Sequence, residues 1–279
     1  MTVVVATRNR RRELLASLPR HEAPVILVDN GSDDGTAAAV RGELPDVQVL
    51  ELTDNRGAFA RTVGANLATT RYVAFADDDS WWAPGGLRHA VELFEQYPKL
   101  GLLAARIVVG EEQRPDALCE LMAQSGLGRM PDLPGPSIRG FIACAAMVRR
   151  AAFCAVGGFD EVVRFPGEEE RVAIDLAAAG WGLAYVEEIV VHHHPSPHRD
   201  SPDQRQVSIE RSKLLTAVMR RSWLFVMREL LRQLRSPTGR AGLVDALPRT
   251  VAALRARSRI SRRLEDELVR LESGGPGLT

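Results

Sequence analysis

The sequence predicts an α/β protein with a mostly parallel central sheet, helices on both faces and a C-terminal helical extension. Two observations favour this fold class. Short apolar segments alternate with helix-like segments through the first eighty residues, which is typical of parallel strands buried on both faces. From residue 199 onward the pattern becomes helical and basic, with 17 Lys and Arg against 9 Asp and Glu. We therefore expect a main domain over residues 1–200 and a basic helical extension over residues 201–279.

Strands and helices alternate regularly in the first eighty residues. We expect strands over residues 3–6, 25–28, 47–50 and 72–75, and helices over residues 12–18, from Thr36 and over residues 58–68. Ligands of parallel sheets bind beyond the carboxyl ends of the strands. Because Asp29, Asn55 and residues 77–79 stand at those ends, we expect them to converge at one rim.

Three consecutive carboxylates, Asp77, Asp78 and Asp79, follow the fourth strand. Adjacent carboxylates repel one another, so a cation is expected beside them. Mg²⁺ and Mn²⁺ are hard cations that carboxylates and substrate phosphates bind together. The alternative is a solvated turn in which Asp79 or Ser80 caps a helix that begins at Pro84. Capping explains one acid and leaves the other two unexplained.

The second half of the main domain is less regular. Residues 139–150 predict a strand, and residues 151–156 predict a helix that Gly157 ends. A strand over residues 184–191 leads into three consecutive histidines, residues 192–194. Residues 110–140 are rich in Gly and Pro and predict a long mobile loop, of the kind that is usually functional or disordered.

Composition and motifs exclude several classes of protein. No apolar run approaches the ~18 residues that suggest a membrane span, and Met1 leads directly into a strand without a signal peptide. The three cysteines lack metal-ligand spacing, which favours reduced thiols and a cytoplasmic protein. The chain also lacks the glycine motifs of dinucleotide-binding and P-loop enzymes.

Several motifs resemble those of the family 2 glycosyltransferases, which have the GT-A fold. They are VDNGSDDGT at residues 28–36, Asn55-Arg56-Gly57, FADDD at 75–79, GGFDE at 157–161, GEEERVAIDLAAAGW at 167–181 and the segment 185–194. The resemblance covers residues 1–198 in the family's order. It implies a metal-dependent, inverting hexosyl- or deoxyhexosyltransferase that uses a nucleoside-diphosphate sugar. It also implies a donor half over residues 1–105 and an acceptor half over residues 106–200.

The resemblance further implies which residues bind the donor. The candidates for the nucleoside and diphosphate are Thr7, Arg8, Asp29, Asn30, Asn55, Gly57, Arg61, Asp77 and Asp78. A carboxylate such as Asp29 accepts hydrogen bonds from a base or a ribose hydroxyl. The alternatives are a glycine-rich turn with an N-cap at Asp29–Thr36 and an ordinary exposed helix arginine at Arg61.

By the same resemblance, Asp79 binds the divalent metal and Asp77 contacts the metal or the ribose. A histidine after the last strand completes this site, and the position favours His193 over its neighbour His192. An imidazole suits Mn²⁺ better than Mg²⁺. The alternative is a strand end with one buried ring and two solvated rings.

The general base is implied at the start of a later helix. Alignment on Ala179-Gly180-Trp181 places Glu169 at the base position, where the family usually has Asp, with Glu168 beside it. The family has a second acid two positions later, whereas this chain has Arg171. The alternative is that these glutamates only complement the helix dipole.

The acceptor is expected to be a hydroxyl of a glycan, a lipid-linked sugar or a small molecule, as in cell-wall, polysaccharide or natural-product glycosylation. The candidate acceptor-binding residues are Trp81, Gly158, Phe159 and Asp160, with the loop over residues 110–140 covering that side. For Trp81 the alternative to stacking on a sugar is ordinary aromatic packing.

The extension predicts helices from Ser208 to Leu271, with breaks near residues 236–239 and 247–248. Apolar residues recur at helical spacing between Trp223 and Leu234, with arginines on the other side. This pattern fits packing on the main domain, a homodimer contact or peripheral attachment to the inner face of a membrane. A nucleic-acid partner is not expected, because interleaved aromatic residues are lacking.

Two other functions stay open. One is a catalytically inactive glycosyltransferase-like binding protein, which would not need acids at positions 77, 79 and 169. The other is a sugar-nucleotide pyrophosphorylase, which would need a glycine-rich loop after the first strand, whereas residues 6–12 contain no glycine.

Overall fold

A nine-stranded mixed sheet forms the centre of the described chain, in the order β3-β2-β1-β4-β8-β6-β9-β5, with β7 paired to β6. The computed structural model describes residues 1–196 and 201–274. The strands are β1 Thr2–Thr7, β2 Val25–Asp29, β3 Gln48–Glu51, β4 Tyr72–Ala76, β5 Ser80–Trp82, β6 Leu100–Val109, β7 Arg114–Pro115, β8 Ala146–Arg149 and β9 Gly182–His193. The expected alternation of strands and helices in the first eighty residues is confirmed.

Eleven α-helices accompany the sheet within the described ranges. They are α1 Arg11–Ser17, α2 Thr36–Glu43, α3 Phe59–Leu67, α4 Gly86–Gln96, α5 Ala117–Ala123, α6 Arg150–Ala155, α7 Glu169–Ala178, α8 Pro202–Arg220, α9 Trp223–Gln233, α10 Pro237–Arg255 and α11 Arg262–Gly274. Short 3₁₀ turns cover Leu18–Arg20 and Ala143–Ala145. The expected domain boundary at residue 200 lies outside the described residues.

The register of the parallel half places its polar strand ends at one level. Strands β3, β2, β1 and β4 pair in parallel, and Thr7, Asp29 and Glu51 are successive partners across β1, β2 and β3. Gly64 lets α3 approach this sheet, because a Cβ there would lie 2.5 Å from a methyl group of Val4. The carboxyl ends of β1 and β2 therefore share one rim.

The second half of the sheet returns to the same rim. Strand β8 runs antiparallel to β4 and β6, β9 runs parallel to β6, and β5 pairs antiparallel with β9. Ser80, the first residue of β5, is the partner of His193 near the end of β9. This pairing brings the acids that follow β4 beside the histidines that end β9.

Four expectations about local structure are wrong. The strand expected over residues 139–150 is reduced to β8, because residues 143–145 form a 3₁₀ turn whose side chains are buried. The expected cap by Asp79 or Ser80 is absent, because Ser80 belongs to β5 and the next helix begins at Gly86. The expected loop over residues 110–140 contains β7 and α5.

The expected break at Leu247-Pro248 is also wrong, since α10 continues through Pro248. Proline leaves the carbonyl of residue 244 without its helical partner. Val244 and Pro248 are both exposed, so water can bond that carbonyl. The break near residue 236 is confirmed, and the Ser236 hydroxyl caps α10 by accepting from the Gly239 amide.

Three hydrophobic clusters support these elements, and the smallest joins Ile174 of α7 to Leu264 and Leu268 of α11. The large cluster surrounds the sheet, and a second one joins Val163, Leu215, Val226 and Ala246 among helices α8, α9 and α10. Helix α10 packs closely on α8 at Gly242, where a Cβ would lie 2.6 Å from the Cβ of Glu210. The C-terminal helices therefore have a core of their own that reaches the segment before α7.

Candidate active site

Asp77, Asp79 and His193 meet at the rim. One ligand atom from each side chain lies within 4.8 Å of the others. The Nε2 atom of His193 is 3.3 Å from Oδ1 of Asp79, and these side chains are only 14% and 9% exposed. Asp77 and Asp79 flank the turn between β4 and β5, while the pairing of β5 with β9 supplies the histidine.

The segment after β9 fixes Asp79 in this position. The Ser196 amide donates to the second carboxylate oxygen of Asp79 over 3.1 Å, and the His194 amide donates to the Asp79 carbonyl over 2.8 Å. The Ser196 hydroxyl also bonds Arg10 and Glu13 near the start of α1. Sequence analysis missed Ser196, and no motif pointed to it.

His192 lies apart from this cluster, because neighbouring residues of a strand point to opposite faces. Its ring stacks on Trp81 at 5.4 Å between centroids. Burial lowers the pKa of His192, and the nearby His194 and Arg20 lower it further. The Arg20 guanidinium and His194 also contact the Trp81 ring. The structure thus shows the packing that was the alternative for Trp81.

Asp78, the middle acid, is half-buried and directed at β1. The Thr7 hydroxyl donates to its carboxylate over 2.8 Å, and the Ser17 hydroxyl donates to its carbonyl over 2.7 Å. Burial and repulsion from Asp77 and Asp79 raise the pKa of Asp78 to about 7. Thr7 and Asp78 therefore bond each other and stand apart from the three potential metal ligands.

The remaining donor candidates lie in turns at the rim, and hydrogen bonds hold these turns together. The carboxylate of Asp29 accepts from the Ser32 amide over 2.9 Å. The Asn30 side chain donates to the Gly57 carbonyl and accepts from the Arg56 amide, and Asn55 accepts from the Gly57 amide. Arg8 is exposed and donates to the Gly31 carbonyl. These bonds shape the rim that the donor candidates share.

Arg61 is buried and joins the two acidic parts of the site. It forms an ion pair with Asp77, and its other terminal nitrogen lies 3.7 Å from Glu168. Burial opposes its charge, but Asp77 and Glu168 raise its pKa overall. The alternative for Arg61, an exposed helix arginine, is wrong. The burial of Arg61 could have been predicted from the sequence, because residue 61 shares one helical face with the buried Ala58 and Ala65.

Glu168 and Glu169 lie at the N-terminal end of α7, beside Arg61. Glu168 is 1% exposed, and neither of its carboxylate oxygens has a hydrogen-bond partner among the described residues. Glu169 accepts from the Ala143 amide over 3.4 Å. Burial raises the pKa of both carboxyl groups, and repulsion from Glu169 adds to the effect on Glu168.

Arg171 stands at the position where the family has a second acid. It forms ion pairs and a hydrogen bond within the protein. Its guanidinium bonds Asp160, Asp175 and the Gly158 carbonyl. The other oxygen of Asp160 accepts from the amides of residues 162 and 163. Phe159 is 0% exposed and packs against Phe75, so its ring supports the rim from beneath. These residues hold the segment 158–163 against α7.

Comparison with known proteins gives the class to which this fold and rim belong. Residues 2–157 match Glycosyl transferase family 2, so the chain belongs to that family. It is 34% identical over 215 residues to the pre-mycofactocin glycosyltransferase of Mycobacterium tuberculosis, covering 72% of this chain and 44% of that protein. It is 30% identical over 203 residues to the N-acetylglucosaminyl-diphospho-decaprenol L-rhamnosyltransferase of the same species, covering 61% and 66%. The chain thus spans less than half the length of the first relative.

Solved structures confirm the GT-A-like fold. The mannosyltransferase PcManGT of Pyrobaculum calidifontis, in complex with GDP-Man and Mn²⁺, superposes with a TM-score of 0.59 at 20% identity, over 98% of this chain and 79% of that one. S. aureus TarS 1-349 in complex with UDP-GlcNAc gives a TM-score of 0.55 at 16% identity, over 94% of this chain and 82% of that one.

Among the described helices, none has both the length and the apolarity that crossing a membrane requires.

Proposed function

We propose that the chain transfers a hexosyl or deoxyhexosyl group from a nucleoside-diphosphate sugar to an acceptor hydroxyl, with inversion and with a divalent metal. The observation that carries this proposal is the link through Arg61. It contacts Asp77 of the potential metal site and Glu168 beside the base candidate Glu169. One rim therefore presents a cation site and a carboxylate pair, of buried Glu168 and half-buried Glu169, which suit a single-displacement transfer.

The ligands at the rim fit a divalent metal. Asp77, Asp79 and His193 provide two carboxylates and one imidazole within 4.8 Å of one another. This donor set favours Mn²⁺ over Mg²⁺, which prefers oxygen ligands only. When bound, the metal would neutralise charge on the diphosphate that leaves with the nucleotide.

The donor is proposed to lie over the carboxyl ends of β1, β2 and β4. Structural neighbours were solved with GDP-Man and UDP-GlcNAc, which supports a nucleotide-sugar donor for this chain. Asp29 is the candidate for the nucleoside, because it is an acid at the end of β2. Its second carboxylate oxygen is a suitable acceptor for a base or ribose donor.

Glu169 is proposed as the general base. The acceptor hydroxyl transfers its proton to the Glu169 carboxylate while its oxygen bonds the anomeric carbon and the nucleoside diphosphate leaves from the opposite face. Burial raises the pKa of Glu169, and a carboxylate of higher pKa is a stronger base. Arg61 keeps positive charge close to this pair of glutamates and limits that rise.

A thermal-shift panel tests the donor and metal assignments. UDP, GDP, dTDP and CDP are each measured with and without Mn²⁺, because a ligand that binds the native state raises its stability. We expect one nucleotide to raise the melting temperature only with Mn²⁺, and Asp79→Ala to abolish that increase. Undiminished, metal-dependent binding by Asp79→Ala would refute the metal assignment. Nucleotide binding without turnover on any acceptor would favour an inactive binding protein.

A further inference from the structure

Helices α9 and α10 carry most of the large exposed hydrophobic side chains of the described residues. Of twelve such side chains, nine lie on these helices or directly after α9, and each is 45–67% exposed. We call them the apolar face: Trp223, Leu224, Met227, Leu231, Leu234, Val244, Leu247, Val251 and Leu254. A cluster of this kind on a folded protein marks an interaction surface.

The two helices present these side chains on one side. Val226 of α9 and Ala246 and Ala253 of α10 are buried in the core that α8 shares, so the apolar face points away from α8. Residues 234–236 connect the helices at one end. At the other end, the Arg257 guanidinium lies 4.1 Å from the centroid of the Trp223 ring. The helices are therefore antiparallel neighbours with adjoining exposed stripes.

The surface around the apolar face is strongly basic. Residues 222–262 contain nine arginines and two acids. Both acids are engaged within the protein, since Glu229 pairs with Arg232 and Asp245 pairs with Arg211. Besides Arg232, five exposed arginines accompany the two helices: Arg228, Arg235, Arg240, Arg255 and Arg259. A partner for this surface must accept apolar side chains and carry negative charge.

We propose that the apolar face docks on an anionic phospholipid bilayer. Apolar side chains enter the boundary between headgroups and acyl chains, while arginines beside them contact lipid phosphates. A second copy of the chain fits this surface less well. A two-fold contact places the same patch on both subunits, so the two sets of arginines would face each other without acids.

Helix α8 would connect the docked helices to the site of the proposed reaction. Arg211 of α8 bonds Asp245 of α10 over 3.0 Å and the Arg164 carbonyl over 2.8 Å. Residue 164 belongs to the segment that precedes Glu168. An acceptor carried by a lipid is therefore the substrate class that such docking would favour. This consequence rests on the proposed function, whereas the docking itself does not.

Vesicle co-sedimentation tests the docking directly. The full chain is mixed at low salt with vesicles of phosphatidylglycerol and phosphatidylcholine, or of phosphatidylcholine alone. We expect binding to the anionic vesicles only, and release as salt screens the exposed charges. The double variant Arg228→Glu/Arg235→Glu should bind at least roughly 30-fold more weakly, since each basic residue near an anionic surface contributes about fivefold. Leu224→Glu/Leu231→Glu should also lose binding.

Matched control variants distinguish an effect of this surface on vesicle binding from an effect of net charge alone. Arg88→Glu/Arg114→Glu makes the same change in net charge at exposed positions of the main domain, and its vesicle binding should fall much less. Thermal shifts with nucleotide show whether every variant is folded, independently of vesicle binding. No binding of the wild-type chain to anionic vesicles at low salt overturns the proposal. A wild-type dimer that Leu224→Glu/Leu231→Glu converts to a monomer, without vesicle binding, assigns the face to a second copy.

Discussion

Glu169→Gln is the most direct test of the proposed chemistry. Glutamine keeps the size of the side chain and an oxygen that accepts from the Ala143 amide, but it cannot take a proton. A positioned general base contributes about 10²–10⁴-fold to such a step. At about 1.4 kcal/mol per tenfold change, turnover should fall by an amount equal to about 3–5 kcal/mol in the activation barrier. Donor binding should change little, because the substitution acts on the acceptor side.

The assay is release of nucleoside diphosphate in the presence of acceptor, with the anomeric configuration of the product determined by NMR. Glu170→Gln is the matched control, because it makes the same change one residue further along α7. Its carboxylate interacts with Arg221 and Lys213 of the C-terminal extension. Turnover of Glu169→Gln close to that of wild type would refute the assignment and direct attention to Glu168. Retention of the donor's anomeric configuration would refute the single-displacement mechanism.

Two further predictions concern stability. Burial raises the pKa of Glu170 from 4.5 to about 7, although Arg221 and Lys213 oppose this rise and Glu272 and Glu229 add to it. The protonated form is favoured in the folded state, so its stabilising contribution is complete below pH ~4.5 and is lost as the pH rises through about 7. Urea unfolding should therefore show Glu170→Gln gaining stability relative to wild type across that window, and an unchanging difference would contradict the shift. Arg61→Met leaves Asp77 and Glu168 without their shared cation and should cost about 3–5 kcal/mol at neutral pH. The control Arg56→Met removes a partly exposed ion pair with Glu161 and should cost much less, so equal losses would show that burial of Arg61 is unimportant.

The first half of the fold could be predicted because its signals are local. Apolar strands with polar residues at their carboxyl ends identified the rim, and the motif order identified the family. The choice of His193 over His192 could also be predicted from the sequence, since alternation of side chains on β9 places only one of the two beside Asp79. The register of β5 with β9, which brings these residues together, is a long-range pairing that no local pattern encodes.

The errors arose where tertiary contacts override local preference. Residues 139–150 have the composition of a strand, but residues 143–145 form a 3₁₀ turn with buried side chains. Pro248 is tolerated inside α10 because the affected carbonyl belongs to an exposed turn of the helix. An exposed helix position was the alternative for Arg61, because arginines are usually exposed, and its burial rules that alternative out. Its burial depends on two acids, Asp77 and Glu168, that are far from it in the sequence.

The C-terminal extension contacts helix α7, which carries the proposed base. Asp175 accepts from Arg171 on its own helix and from Arg220 at the end of α8. Arg171 also bonds Asp160, so one network connects the segment 158–163, α7 and the extension. Glu169 begins this helix, and its carboxylate position therefore depends on both attachments. A base that must be within hydrogen-bond reach of the acceptor hydroxyl requires such positioning. The ion pair between Arg220 and Asp175 thus links the extension to the helix that carries the proposed base.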